Sequence, residues 1–296
     1  MHSASFRARA LAKKKGFDRV GFKHKNPLGK LYFSNPYAVP VKSGTYFGVK
    51  NIEALYVRGF VREPWNKGEL HGSSGAIVWG KVKFKGVSKP KVVAIKGYFR
   101  PSEFLEADLS VIVERLRRSK AKHPKMCVFP LEIGGKRNLY LLMEPFIKAG
   151  RDGMVVSKFE PYERVVNQIK LSTPVGQKVF RKVLVEAAEL AKVGLAVPYS
   201  LGVARDFIEL GLPPEALRQI AHKQIDVFNK ITLKNGETQI FSQDIDELQI
   251  VGSRSRAWKE SVKNISEVVL ENNPVPDAQQ IIKAIAREVE KAHGFR

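Results

Sequence analysis

The sequence contains a single cysteine and no long apolar run, and both shortages exclude whole classes of protein. Cys127 alone cannot build an internal disulfide framework, which favours a reducing, intracellular and cytoplasmic setting. No run of about 18 apolar residues is present, so we expect no membrane-spanning helix. The six histidines lack a ligand spacing such as His-x-x-x-His, and no Gly-x-Ser-x-Gly nucleophile motif occurs.

Acidic residues are also scarce, since 29 Asp and Glu face 51 Lys and Arg and leave a net charge of +22. Residues 1–50 hold eleven Lys and Arg against the single acid Asp18, and residues 81–100 hold seven with no acid. An excess of this size attracts polyanions. One interpretation is a nucleic acid or an acidic protein bound through the basic N-terminal arm. The other is a set of solvated lysine-rich faces.

Apolar patterning divides the 296 residues into three segments. Residues 1–30 are basic, have few periodic apolar positions and predict a flexible or partner-dependent arm. Residues 31–144 are rich in short strand patterns, and residues 145–296 are dominated by helical periodicity. The sequence therefore predicts an α+β protein in which a sheet domain precedes a mainly helical domain.

The sheet domain is clearest in four short runs. Residues 81–85 alternate polar and apolar side chains, as a strand exposed on one face does. After a turn at residues 86–90, the apolar run 92–96 indicates a more buried strand. Residues 126–129 and 139–143 predict two more strands around a glycine turn. The result is a mostly antiparallel sheet.

One helix interrupts these strands. It is predicted over residues 103–118, with Ser102 as a suitable N-cap. Its apolar face would consist of Leu105, Leu109, Ile112 and Leu116. In the second domain the pattern predicts helices over residues 176–193, 204–210, 214–228, 256–271 and 277–292. Asn235-Gly236, between two apolar runs, predicts a hairpin turn.

The segment from Gly75 to Val82 has the glycine spacing of a phosphate-binding loop. A P-loop would need a hydroxyl at position 82 and a following helix, whereas the sequence has Val82 and a strand pattern. A glycine flap between two strands fits better, with the backbone near the phosphates and Val82 over the base. The remaining alternative is an ordinary hairpin with a glycine bulge.

Lys96 closes an apolar strand, and a lysine on an inner face requires a counter-charge. Glu114, on the helix that follows, is the expected partner. Glu106 lies two turns earlier on a similar face of the helix and is the second choice. Nucleotide phosphate would be the third member of the group. Alternatively, Lys96 marks the exposed end of its strand.

Residues 72–147 resemble the ATP-binding lobe of protein kinases. The glycine segment, Val-Ala-Ile-Lys96, Glu114, His123-Pro124 and the strand ending in Met143-Glu144 follow in that family's order. The resemblance implies a divergent, two-lobed kinase-like fold, with a sheet lobe containing one helix and a mainly helical C-terminal lobe. It also implies ATP as the bound nucleotide, with Lys96 on its phosphates. The nucleotide-binding residues would be Gly75, Gly80, Val82, Ala94, Lys96, Met143, Glu144 and Phe146.

The family's catalytic loop reads His-Arg-Asp-x-x-x-x-Asn, and the best counterpart here runs from His222 to Asn229. Gln224 takes the place of the catalytic aspartate and cannot accept a proton. Asp226 lies two residues further on and is the candidate base. The same stretch could also continue the helix predicted from Pro214, with a solvated Asp226.

Magnesium prefers hard oxygen ligands, and one or two carboxylates with nucleotide phosphates suffice. Asn229 and Asp244, or Asp246 in place of Asp244, are the expected Mg²⁺ ligands. The sequence thus supports two hypotheses. The chain is a kinase that uses ATP and Mg²⁺ to phosphorylate a hydroxyl group of a protein or a small molecule. Alternatively, it is a pseudokinase or α+β scaffold that binds nucleic acid or an acidic partner.

Overall fold

A computed structural model provides the structure of the protein. It describes residues 37–40, 45–46, 50–60, 75–84, 86, 88–89, 91–98, 102–133, 136–143, 156–158, 165–202, 216, 221–233, 237–242 and 244–295. The predicted basic arm at residues 1–30 and the predicted helix at residues 204–210 lie outside this set, as does most of residues 214–221.

The chain forms two compact units, and both α-helices and antiparallel sheets are present, so the predicted α+β class is confirmed. Unit 1 comprises Met1–Val113 and Pro124–Met154, and unit 2 comprises Glu114–His123 and Val155–Arg296. The last residues of the first helix therefore group with the second unit. The predicted domain limits at residues 30 and 144 stay predictions.

Unit 1 is built on an antiparallel sheet whose strand order is β1-β3-β4-β5-β7-β6, with β2 paired to β3. The predicted strand pairs around the turns at residues 86–90 and 134–135 are confirmed as β4–β5 and β6–β7. The strands are β1 Tyr37–Pro40, β2 Thr45–Tyr46, β3 Lys50–Phe60, β4 Gly75–Phe84, β5 Lys91–Tyr98, β6 Met126–Ile133 and β7 Lys136–Met143.

The first helix, α1, spans Glu103–Arg118 as predicted. Its N-terminus is capped by Ser102, whose Oγ accepts the Leu105 N–H at 3.1 Å. Its buried side chains recur at intervals of three and four residues, which is the period of one helix face. They are Leu109, Ile112 and Leu116, whereas Leu105 is half-buried.

Unit 2 is organised around helix α2, Pro174–Lys192, which contacts α3, α4, β9 and β13. Thr173 caps the helix by accepting the Gly176 N–H at 3.0 Å, and Pro174 occupies the first turn, where its missing N–H has no cost. Most of its buried residues are small or aliphatic, which allows close approach of neighbouring elements. They include Phe180, Val183, Leu184, Ala187, Ala188, Leu190 and Ala191.

The rest of unit 2 consists of two more helices and small antiparallel pairings. The strand orders are β13-β12-β8, β10-β11 and β14-β9, and a short 3₁₀ helix covers Ile245–Glu247. The two terminal helices agree with the prediction. The bounds are β8 Val156–Lys158, β9 Leu195–Ala196, β10 Ser200–Gly202, β11 His222–Gln224, β12 Phe228–Leu233, β13 Thr238–Ser242, β14 Gln249–Ile250, α3 Arg254–Glu271 and α4 Ala278–His293.

The helix considered for residues 222–228 is wrong. His222–Gln224 pairs with Ser200–Gly202 as an antiparallel strand, and β12 begins at Phe228. The apolar Ile225 and Val227 alternate with Asp226, which is a strand period rather than a helical one. In the described parts of the chain, no helix combines the length and apolar character needed to cross a bilayer.

Glu186 is the least expected side chain of helix α2, because it is a carboxyl with 7% exposure. Its Oε2 accepts the Lys122 N–H at 2.7 Å. Burial removes water from the carboxylate and raises the pKa of Glu186 to about 7, against an ordinary value of 4.5. The folded state therefore favours the protonated form, and its stability falls as the pH rises from about 5 to 8.

Glu186→Gln should remove this pH dependence. The amide keeps the acceptor oxygen but carries no charge, so the variant should be more stable than the parent at pH 8 and similar at pH 5. The difference at pH 8 is on the order of 3 kcal/mol at most. Urea unfolding at both pH values measures it, with Glu288→Gln, an exposed partner of Arg181, as the matched control. Equal stability of Glu186→Gln and parent at pH 8 would contradict the assignment.

Candidate functional site

In unit 1 the sheet buries Lys96, the central residue of the predicted nucleotide site. Lys96 is 8% exposed, two residues before the end of β5, and its backbone lies between Ile77 of β4 and Leu141 of β7. The alternative of an exposed strand end is therefore wrong. Among its contacts, Nζ lies 5.6 Å from the centroid of the Tyr98 ring, within cation–π range.

Strand β5 is covered on both faces. Lys96 and Tyr98 project to one face and Val93 to the other, because successive strand residues alternate. Val93 is 1% and Tyr98 is 5% exposed. The amine of Lys96 is therefore largely shielded from water, and the interaction of a charged amine with an anion is stronger there than in water.

Glu114, the expected partner of Lys96, lies near the end of α1 and belongs to unit 2. Its Oε1 accepts hydrogen bonds from Arg118 Nη2 at 2.7 Å and from Arg117 Nη2 at 2.9 Å. The hydrogen bond from Arg118 is the main reason why the pKa of Glu114 is lowered. Pairing of Lys96 with Glu114 stays a prediction, as does pairing with the half-buried Glu106, which shares unit 1 with Lys96.

The glycines of the predicted flap do not form a turn. Gly75 and Gly80 lie inside the continuous strand β4, paired with Tyr98 and Val93 of β5 without a register shift. Strand pairing continues through Val82, which excludes a P-loop because that motif needs a helix after its lysine. The same regular register excludes a glycine bulge between β4 and β5, whereas the β3–β4 register shifts between Val57 and Phe60, beside Gly80. Nucleotide contact by Gly75, Gly80 and Val82 stays a prediction.

Two of the expected nucleotide-binding residues lie opposite each other in the sheet. Ala94 of β5 is the backbone partner of Met143 of β7, and the Met143 side chain is 6% exposed. Glu144 and Phe146, which the resemblance also assigns to nucleotide binding, lie outside the described residues. The sheet thus brings Ala94, Lys96 and Met143 onto adjacent strands.

In unit 2 the candidate base is held by two neutral donors. Asp226 Oδ2 accepts from Gln224 Nε2 at 2.9 Å and from Ser200 Oγ at 3.2 Å. Both donors come from the paired strands β10 and β11. Asn167 supports the same turn, since its Nδ2 donates to Lys223 O at 2.8 Å and its Oδ1 accepts the Ile225 N–H at 3.3 Å. These contacts hold the Asp226 carboxylate in a defined position.

Gln224 adds a buried acceptor beside Asp226. The residue is 7% exposed, and its Oε1 has no hydrogen-bond partner among the described residues. A buried acceptor left without a donor costs about 1–3 kcal/mol, so a hydroxyl or a cation at this point would be favourable. The kinase resemblance places Gln224 at the position of the catalytic aspartate, but no sequence pattern indicates an unpaired oxygen there.

Both expected magnesium ligands lie near the end of the β12–β13 pairing where Phe228 faces Ser242. Asn229 is 8% exposed on β12 and pairs with Phe241 of β13, and Asp244 is half-buried just before the 3₁₀ helix. Within the described residues no group of three or more His, Cys, Asp or Glu could hold a metal. Magnesium bound to nucleotide phosphates requires fewer protein ligands than that. Asn229 and Asp244 therefore stay predicted ligands.

Lys223 was missed by sequence analysis although its neighbour Gln224 was identified. Its Nζ contacts Glu267 at 2.9 Å and Glu271 at 3.2 Å, and lies 5.1 Å from the Tyr199 ring centroid. The hydrogen bond to Glu267 is the main cause of its raised pKa. The two glutamates lie 44 and 48 residues away in the sequence, so no local pattern indicates the contact.

Comparison with known proteins identified no relative of this chain among family models or curated proteins. No protein-family model matches the sequence, and no curated protein matches it significantly. The kinase resemblance therefore rests on the residues and their arrangement alone.

Removing the Asp226 carboxylate should destabilise unit 2. Asp226→Ala leaves Gln224 Nε2 and Ser200 Oγ without this acceptor, which should lower the free energy of unfolding by about 1–3 kcal/mol. Ser200→Ala removes one neutral donor and should cost about 1 kcal/mol. Urea unfolding of both variants measures the two values. Unchanged stability of Asp226→Ala would show that these hydrogen bonds do not form in solution.

Proposed function

We propose that the protein is a divergent, two-lobed kinase-like protein that binds ATP with Mg²⁺ and transfers the γ-phosphoryl group to a hydroxyl acceptor. The observation that carries the proposal is the buried amine of Lys96 on a central sheet strand. In protein kinases the phosphate-binding lysine lies on the third strand of the lobe, before the helix that carries its glutamate.

The arrangement of unit 1 supports the nucleotide part of the proposal. Three long successive strands, β3, β4 and β5, pair side by side, and helix α1 follows the third, which carries Lys96. Strand β7 then pairs with β5 and places Met143 opposite Ala94. A phosphate at Lys96 and an adenine beside Met143 would occupy neighbouring strands of one sheet.

The arrangement of unit 2 supports the transfer part. Phosphoryl transfer depends mainly on positioning and electrostatics, so a base displaced by two residues can serve. Asp226 is held by Gln224 and Ser200, and a substrate hydroxyl could donate to this carboxylate. Gln224 itself cannot take a proton, which argues for a slow enzyme or a pseudokinase.

The residues available for magnesium fit a nucleotide-bound ion. Asn229, Asp244 and the free Oε1 of Gln224 are hard oxygen donors, the type that Mg²⁺ prefers. When bound, the ion would neutralise phosphate charge during transfer. The role of the chain is to supply these oxygens and to hold Asp226.

Mg-ATP should raise the melting temperature of the parent protein because ligand binding stabilises the folded state. Lys96→Met should abolish or strongly reduce this shift. Lys89→Met is the matched control, since Lys89 is exposed on the turn of the same hairpin. The measurement is a thermal-shift titration with ATP, with and without EDTA. A parent protein that shows no shift at saturating Mg-ATP would refute nucleotide binding.

Phosphoryl transfer requires a separate measurement. Incubation with ATP labelled at the γ-phosphate should label the parent protein, and Lys96→Met should abolish that incorporation. Asp226→Asn, which keeps the shape but not the basicity, should reduce it by about 100-fold or more. Incorporation that is unchanged in Lys96→Met would defeat the proposal. A thermal shift without any incorporation in the parent would identify a pseudokinase.

A second candidate function is binding of nucleic acid or an acidic protein. The supporting observation is the net charge of +22, which attracts polyanions through counterion release and long-range steering. The basic arm that suggested this role lies outside the described residues. The two functions can coexist in one protein.

A further inference from the structure

Unit 2 contains a cleft lined by cations, and none of its lining residues belongs to the predicted nucleotide, catalytic or magnesium set. Its volume is about 460 Å³, within the range of small-ligand sites. Four of its lining side chains are basic, and the remaining lining residues belong to the loops at residues 193–194 and 251–252. The basic residues are Arg115, Arg118, Lys192 and Arg254.

Hydrogen bonds and a steric constraint fix the loops at the floor of the cleft. Arg115 Nη1 donates to Gly194 O at 2.6 Å and to Val251 O at 3.2 Å, which ties together the two loops. The Val251 N–H also donates to Gly194 O at 2.8 Å. Gly194 has φ of +74°, and a Cβ there would lie 2.7 Å from Val251 O. A larger side chain at this position would be strained and would collide with the Val251 carbonyl, so glycine is required there.

The positive charge of the cleft is not neutralised by acidic side chains that line it. No acidic residue is among the lining residues that the structure describes. Arg118 and Lys192 contact carboxylates outside the cleft, on Glu114 and Glu189. Within the described residues, neither Arg115 nor Arg254 has a carboxylate partner. Anions entering the cleft would therefore meet positive charge from several sides.

We propose that this basic cleft binds a backbone phosphate of a nucleic acid strand. Arginine guanidinium groups match phosphate oxygens in two-point contacts, and three of the four cations are arginines. No aromatic side chain lines the cleft in the described residues, so it suits a phosphate rather than a stacked base. The net charge of +22 favours a polyanion over an isolated phosphate.

The test is fluorescence anisotropy of the full chain with a labelled single-stranded RNA of about 20 nucleotides, titrated at several salt concentrations. The double variant Arg118→Glu with Arg254→Glu should weaken RNA binding about tenfold or more. It should also reduce the slope of log affinity against log salt concentration by about one to two. Both side chains are exposed, so folding should be retained, and circular dichroism checks it. The single variant Arg254→Glu should leave the Mg-ATP thermal shift unchanged, because Arg254, unlike Arg118, makes no contact with Glu114. This result separates the cleft from the proposed kinase-like function.

The matched control is Lys283→Glu with Arg287→Glu, which makes the same charge change on the exposed surface of helix α4. The control should lose much less affinity than the cleft variant. An equal loss in both would mean that only net charge matters, and this would overturn the proposal. Absence of RNA binding at low salt would also overturn the proposal. If the protein then bound pyrophosphate, and Arg254→Glu abolished that binding, the cleft would be a site for a small phosphate instead.

Discussion

Burial of a lysine amine inside an apolar sheet is the constraint on which the account of this protein depends. Lys96 is enclosed on β5, between β4 and β7, while Val93 on the opposite face is also buried. Removing an ammonium group from water is costly, and buried titratable groups are enriched at functional sites. Phosphate binding is a use that suits both the position and the charge.

In unit 2, one central helix connects to the loops that position the polar side chains of the candidate sites. Helix α2 contacts α3, α4, β9 and β13, and its ends connect to the turn at Thr173 and to the loop at Gly194. Asp226 is positioned by Gln224, Ser200 and the turn that Asn167 supports. The basic cleft is positioned by Arg115 through backbone carbonyl groups. Both arrangements join segments that are distant in sequence.

Local sequence patterns predicted elements well where one face is buried. Helices α1, α2, α3 and α4 and the β4–β5, β6–β7 and β12–β13 pairings all follow from periodicity and capping or turn residues. Glycine spacing misled at Gly75 and Gly80, because glycine also occurs within strands, where it can accompany an irregular register such as the β3–β4 shift beside Gly80. Residues 222–228 were ambiguous because short apolar runs fit both strand and helix. Contacts such as those of Asp226 and Arg115 depend on tertiary structure, so no local pattern could reveal them.

The most direct measurement is chemical labelling of Lys96 by an acyl-phosphate derivative of ATP, which transfers its acyl group to a lysine amine beside the bound phosphates. Mass spectrometry of the digested protein identifies the modified lysines. The account predicts that Lys96 is labelled and that excess Mg-ATP prevents this labelling, while exposed lysines such as Lys89 react to the same extent with or without Mg-ATP. An unlabelled Lys96, or labelling that Mg-ATP does not reduce, would contradict the assignment of a nucleotide site at this amine.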